Sequence, residues 1–457
     1  MNIQSINPVS GKLIKAYKAH TLKQANQKIE KAHAAWTHWK ETTFTERAKL
    51  LHNVAGLLIL RKRTLAALMA NEMGKPIKGG IEEIEKCASV CHYYAANAKD
   101  FLKDQVVPTE ASKSYVSFQP LGVVLAIMPW NFPFWQLFRF LAPALMAGNC
   151  GVLKHASNVS GCALAIEKLI TEAGVPQNVF SVLLINSGVV KDMIKHPLIK
   201  AVTLTGSTEA GIQVAQQAGK QLKKTVLELG GSDPYIVLED ADLRNAAKIC
   251  AQSRLINNGQ SCIAAKRFIL VKKVEKEFLK LFKLEMSSKV TGDPCDPGTD
   301  LGPMARKDLR DELHRQVLDN IKAGAKCLLG GQIPDFKGSH AFYTPTILTG
   351  IKKHMPAYRE ELFGPVALII TAKDTEDAIR IANDTKFGLG AAVFTANIAL
   401  GEEIARKRLN AGACFVNTFV KSDPRLPFGG TNQSGYGREL GMFGIQEFVN
   451  IKTVYIS

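Results

Sequence analysis

Three side chains in this sequence are of the types that carbonyl chemistry needs: a thiol, a carboxylate and an amide donor. Cys262 ends the run Asn257-Asn258-Gly259-Gln260-Ser261-Cys262, where a flexible, polar turn after a helical stretch predicts an accessible thiol. Glu228 stands in Leu227-Glu228-Leu229-Gly230-Gly231. Burial among leucines raises a carboxyl's pKa toward neutrality, as a general base requires, and the two glycines let backbone approach closely. Asn131 lies in Pro129-Trp130-Asn131-Phe132-Pro133, where a proline on each side fixes the backbone, and fixed geometry is what an oxyanion donor requires. Each also has a plainer reading. A lone cysteine is more often an inert buried hydrophobe, the glutamate can be a helix cap or a satisfied core carboxylate, and a simple turn explains the prolines equally well.

A fourth segment, Leu204-Thr205-Gly206-Ser207-Thr208-Glu209-Ala210-Gly211, runs from a strand through Gly206 into a helix whose N-terminal amides could hold phosphate. It lacks the G-x-G-x-x-G spacing of the usual dinucleotide fingerprint, so spacing alone gives it little weight.

The elements that must position these residues alternate. From Leu22 to about Lys103 apolar residues recur three and four apart, which predicts mostly helix. Strand-like runs follow at 115–118 and 122–128, the second apolar throughout, as a strand buried on both faces should be. Strand and helix then take turns: 151–153, 161–173, 179–184, 189–195, 201–204, and a helix opening near Ser207. This order predicts a parallel sheet with crossover helices. A second α/β unit begins near Leu229, with strands at 235–238, 267–271 and 366–370 and a helix from Leu243 to Ile256.

The composition, 46% apolar and 22% charged over 457 residues, is that of an ordinary globular enzyme of two or three domains. The N-terminal residues show no secretory signal, and the most apolar run, Leu121 to Trp130, is far below the ~20 residues that span a bilayer. A cytoplasmic protein without membrane partners is expected. The nine cysteines have no zinc-like spacing with histidines, so no metal is expected. The net charge of +17 raises the question of nucleic acid. Because Lys and Arg are spread along the whole chain, a solvated basic surface is the preferred reading and no nucleic-acid partner is expected.

Taken together, and in this chain order, the four segments resemble the signatures of the aldehyde dehydrogenase superfamily. The resemblance extends to Glu361-Leu362-Phe363-Gly364-Pro365 and Pro427-Phe428-Gly429-Gly430 and so covers essentially the whole chain. The runs 128–133 and 153–158 look most like succinate-semialdehyde dehydrogenases of the shorter bacterial type. The resemblance implies an α/β fold with a Rossmann-like cofactor domain built on a five-stranded sheet, an α/β catalytic domain and a small oligomerisation arm. The corresponding stretches are 1–112 and 127–228 with about 425–440, then 229–424, then 113–126 and 441–457. A homodimer or homotetramer follows by default, since the arm's strand edges need a partner.

The same resemblance implies roles. Cys262 matches the nucleophile, Asn131 and the Cys262 backbone N–H the oxyanion donors, and Glu228 the base for thioester hydrolysis. Lys154, Ser157, Gly206, Ser207, Trp130, Glu361 and Phe363 match positions around a nicotinamide cofactor, NAD or NADP. Where NAD-preferring members often carry a glutamate that repels a 2′-phosphate, this chain has Ser157, so NADP should be accepted. Arg139 matches an arginine that holds a distal carboxylate, with Ser422 near another contact, while the place of a second such arginine is taken by Ile256. A solvent-facing helical cation is the alternative for Arg139. Ala264 stands where some members have a second cysteine. Against the oxidation of a small aldehyde, succinate semialdehyde first among them, stand a dehydrogenase for another aliphatic or aromatic aldehyde, a nucleotide-independent cysteine hydrolase using Cys262 and Glu228, and a basic binding protein on a retired enzyme scaffold.

Overall fold

The computed structural model describes residues 2–335 and 340–457. Three long helices, Leu22–Trp39, Phe44–Met73 and Ile77–Phe101, follow an N-terminal hairpin of Asn2–Ile6 and Leu13–Lys18. Thr21 and Thr43 open the first two helices with reciprocal capping boxes to Gln24 and Glu46, and Gly74, in the left-handed conformation at φ 75°, ends the second.

Next comes a six-stranded sheet in the order Gly435–Tyr436, Lys224–Glu228, Ile199–Thr205, Val123–Met128, Cys150–His155, Phe180–Val182. The last five of these are mutually parallel, and Gly435–Tyr436 adds an antiparallel edge. Val123–Met128 comes first in the chain and lies centrally; its successors pair on one side and then the other. A switch of this kind opens a crevice at the carboxyl ends of the strands, where ligands of α/β sheets bind. A second sheet of seven strands, parallel except for Lys326–Leu329 at one edge, is built around Arg267–Val271 and Pro234–Val237. Separate apolar cores lie against the two sheets, and Ile263 and Leu309 pack on both.

Strand Lys113–Pro120 pairs along its length with Val449–Ile456 in a three-stranded antiparallel sheet. Val123–Ala126, expected with that arm, instead forms part of the central strand of the six-stranded sheet. All twelve residues of the Trp135–Met146 helix are buried, including Gln136 and Arg139. A helix enclosed on every side carries no polar stripe, so periodicity cannot reveal it.

Candidate active site

Cys262 follows a short helical turn, Ile256–Gly259, in which Asn257, Asn258 and Gly259 all adopt left-handed backbone (φ 52°, 58° and 75°). Asparagine tolerates this region better than most residues, and at Gly259 a side chain would strike the Gly364 backbone at 2.3 Å. The turn, expected to be flexible, is pinned. The Asn258 amide donates to the carbonyls of Gly74 and Pro303, both at 2.9 Å, and its oxygen accepts from Gly302 N–H at 2.8 Å. The thiol is half-buried. Burial pushes it up to about 12, while Arg139 and Lys266 pull the other way.

Asn131 reaches the same loop from the end of the central strand. Its amide nitrogen donates to the Gln260 carbonyl at 3.1 Å, Asn257 donates to the Asn131 carbonyl at 2.7 Å, and the Asn131 side-chain oxygen is buried without a partner among the described residues. His155 fixes the loop from below. Its Nδ1 accepts from Ala156 N–H, which leaves Nε2–H to donate to the Pro133 carbonyl at 2.9 Å, and burial lowers its pKa to about 4, so the ring is neutral. Sequence reading passed over His155 because its partner lies in another segment.

Glu228 ends the strand Lys224–Glu228, fully enclosed, and among the described residues neither carboxylate oxygen has a hydrogen-bond partner. Burial, then the charge of Glu439, hold its carboxyl well above the ordinary range, opposed by Arg139 and Arg438. Arg139 is buried, not solvent-facing. It forms an ion pair with Glu439, its Nη2 lies 3.3 Å from Thr205 Oγ1, and its guanidinium sits 4.7 Å from the Phe428 ring centroid. Glu439, 300 positions along the chain, carried no local signal.

Among the residues matched to a cofactor, Ser207 caps the Thr208–Gly219 helix by accepting from Ala210 N–H at 3.2 Å. Gly206 N–H donates to the Glu228 carbonyl. Lys154 lies at the end of the Cys150–His155 strand, half-buried, with burial lowering its pKa and no acidic partner among the described residues. Ser157 is exposed. Glu361 pairs with buried Lys266 at 3.0 Å and accepts from Gly231 N–H at 3.1 Å. Phe363 meets Trp130 edge to face at 5.8 Å.

A cavity of about 740 Å³ opens on Cys262. It brings together Cys262, Arg139 and Ser422, whereas Asn131, Glu228 and the residues matched to a cofactor lie outside its lining. Seven Lys and Arg side chains against five Asp and Glu face it. Of these only Arg139 was anticipated, and two of the others stand out. Lys75 forms a buried pair with Glu83, whose other oxygen accepts the N–H groups of Phe134 and Trp135 at 2.9 Å and so fixes the start of the Arg139 helix. Lys86 donates to Ser422 Oγ at 2.8 Å and lies 4.2 Å from the Trp135 ring centroid. Among the described residues there is no cluster of three or more side chains able to hold a metal, and no helix long and apolar enough to cross a membrane.

A two-sheet α/β frame thus holds a thiol after a pinned turn, an asparagine hydrogen-bonded to the same loop and a buried glutamate at a strand end. The chain belongs to the aldehyde dehydrogenase family, whose model matches residues 1–454. It is 49% identical, over the full length of both chains, to a protein of Synechocystis sp. named a probable succinate-semialdehyde dehydrogenase [NADP(+)]. It is 46% identical, again over both whole chains, to the succinate-semialdehyde dehydrogenase [NADP(+)] of Mycobacterium leprae. The solved structure of succinic semialdehyde dehydrogenase from Streptococcus pyogenes, in complex with NADP+, superposes with a TM-score of 0.97 at 36% identity, covering 99% of each chain.

Proposed function

We propose that this chain oxidises succinate semialdehyde to succinate with NADP+, through a thioester on Cys262. The observation that carries the reading is a cavity with an excess of cationic side chains opening on that thiol, as a carboxylate-bearing aldehyde requires. The names borne by the relatives from Synechocystis sp. and Mycobacterium leprae support it.

The residues at the strand ends fit the nucleotide. Lys154 offers an ammonium without an acidic partner among the described residues, Ser207 begins a helix whose first amides suit a phosphate, and Ser157 presents no carboxylate against a 2′-phosphate. Gly206, Trp130, Glu361 and Phe363 complete the proposed site. A nicotinamide nucleotide held there would supply the hydride acceptor for the substrate carbon.

This chain's residues do the rest. The Cys262 thiolate adds to the aldehyde carbon, and the resulting oxyanion is met by the Asn131 amide and the Cys262 backbone N–H. Glu228 then takes a proton from the water that attacks the thioester, and the carboxylic acid leaves as Cys262 is restored. Its raised pKa makes the ionised carboxylate a stronger proton acceptor than an ordinary glutamate. Exposed Ile451, Tyr455 and Ile456 on the Val449–Ile456 strand support a homodimer or homotetramer, and we place the enzyme in the cytoplasm.

The test is a panel of aldehydes assayed with NADP+ and NAD+ by absorbance of the reduced nicotinamide. The highest kcat/KM is expected for succinate semialdehyde with NADP+. Equal kcat/KM for butanal would refute the substrate, and equal use of NAD+ would refute the cofactor preference.

A further inference from the structure

We propose that Lys86, together with Ser422, is the seat of the substrate's distal carboxylate, and that Arg139 acts at one remove as a positioning residue. This rests on the substrate reading above and names the residues that enforce it.

Of the seven cations that line the cavity, Lys75 and Arg139 are buried and Lys86 is half-buried against the Trp135 ring. Two are already matched. Lys75 is paired with Glu83 and Arg139 with Glu439, and all four side chains are buried. A buried cation with a carboxylate partner has little to gain from a second anion, and breaking the pair leaves a charge stranded. Lys86 differs. Among the described residues no carboxylate lies within ion-pair distance of its ammonium, and the two acids that act on it from afar are engaged elsewhere. Glu83 holds Lys75 and the two amides at the start of the Trp135–Met146 helix. Asp423 is clasped by Arg425 at 2.7 and 2.8 Å.

The hydrogen bonds around Ser422 point the same way. Its hydroxyl oxygen accepts from Trp135 Nε1 at 3.1 Å and from Lys86 Nζ at 2.8 Å. A serine oxygen has two lone pairs and one hydrogen, so both acceptor sites are filled and the O–H must donate elsewhere. The residue is buried and lines the cavity. An ammonium and a hydroxyl proton, side by side and both lacking an acceptor of opposite charge, form a two-donor seat for one carboxylate. Trp135 holds both donors, one by its ring face and the other by its indole N–H.

Arg139 has a different task. Besides its pair with Glu439, it reaches Thr205, which lies in register with Glu228 on the neighbouring strand, and its charge acts to lower the pKa of both Glu228 and Cys262. Its loss should therefore damage turnover of every aldehyde, with or without a carboxylate.

The experiment compares succinate semialdehyde with butanal, which has the same four carbons and no carboxylate, in the wild type and in Lys86→Met, Lys86→Arg and Ser422→Ala. The ratio of the two kcat/KM values is expected to fall by about 10- to 100-fold in Lys86→Met, the range of one charge-assisted hydrogen bond, and to fall through KM. Lys86→Arg should recover part of it and Ser422→Ala should lose less. Thermal unfolding of each variant checks that the fold is intact. A wild-type ratio near one sinks the substrate reading and this seat with it. A high wild-type ratio that survives Lys86→Met within about twofold sinks the seat alone.

Discussion

Lys266 donates to the carbonyl oxygen of Cys262 at 2.7 Å, so the backbone of the proposed nucleophile hangs on a fully buried ammonium. The same Nζ lies 2.9 Å from the Ser261 carbonyl and 3.0 Å from Glu361, which in turn accepts from Gly231 N–H. One cation thus sets the cysteine loop, a residue of the proposed nucleotide site and the glycine pair after Glu228. In Lys266→Met, kcat should fall at least about tenfold, and stability should fall by about 1.5–3 kcal/mol, the range for a hydrogen bond to a charged group. Urea unfolding and steady-state assays measure both, and a variant with normal kcat would show that the loop is held without it.

Glu228→Gln separates the two halves of the reaction. If Glu228 activates water for the thioester, its removal spares the first hydride transfer and slows turnover by about 10²- to 10⁴-fold, the usual weight of a general base. Rapid mixing should then show a burst of one reduced nicotinamide per subunit followed by a slow phase. A slow first turnover would place Glu228 before the thioester instead.

The same substitution should stabilise the protein at high pH. Buried without a hydrogen-bond partner among the described residues, Glu228 holds its proton to higher pH in the folded chain than in the unfolded chain, where it is released near 4.5. Folding then takes up a proton, so stability falls as pH rises from that value toward the raised folded one. Glutamine does not titrate. The Tm of Glu228→Gln relative to wild type should therefore be higher at pH 8 than at pH 5; a constant difference would mean that Glu228 is ionised in the folded chain throughout.

Ser157→Glu tests cofactor choice. A carboxylate at this exposed position should raise KM for NADP+ at least about tenfold by like-charge repulsion while changing KM for NAD+ much less. Equal losses with both nucleotides would assign Ser157 no part in the choice.

Much of the frame was legible because its signals are local. Apolar runs marked the strands Val123–Met128 and Arg267–Val271, and alternation marked the crossovers. The Trp135–Met146 helix was invisible, being enclosed on all sides, and with it went the meaning of Arg139, read either as a carboxylate clamp or as a surface cation. Cys262, Glu228 and Asn131 were singled out through the company their segments keep rather than through any one residue. Lys86, Lys75, Glu83, His155, Lys266 and Glu439 act through partners that only the folded chain brings near. Lys86 to Ser422 spans 336 positions, and no spacing rule reaches so far.

The segment after residue 434 does more than close a sheet. Gly435 and Tyr436 pair with the strand carrying Glu228, Glu439 answers the charge of Arg139, and Val449–Ile456 zips along Lys113–Pro120. During synthesis Cys262, Asn131 and Glu228 all leave the ribosome long before these partners exist. A nascent chain therefore carries the proposed reactive groups while Arg139 still lacks its counter-ion, until Glu439 has been translated.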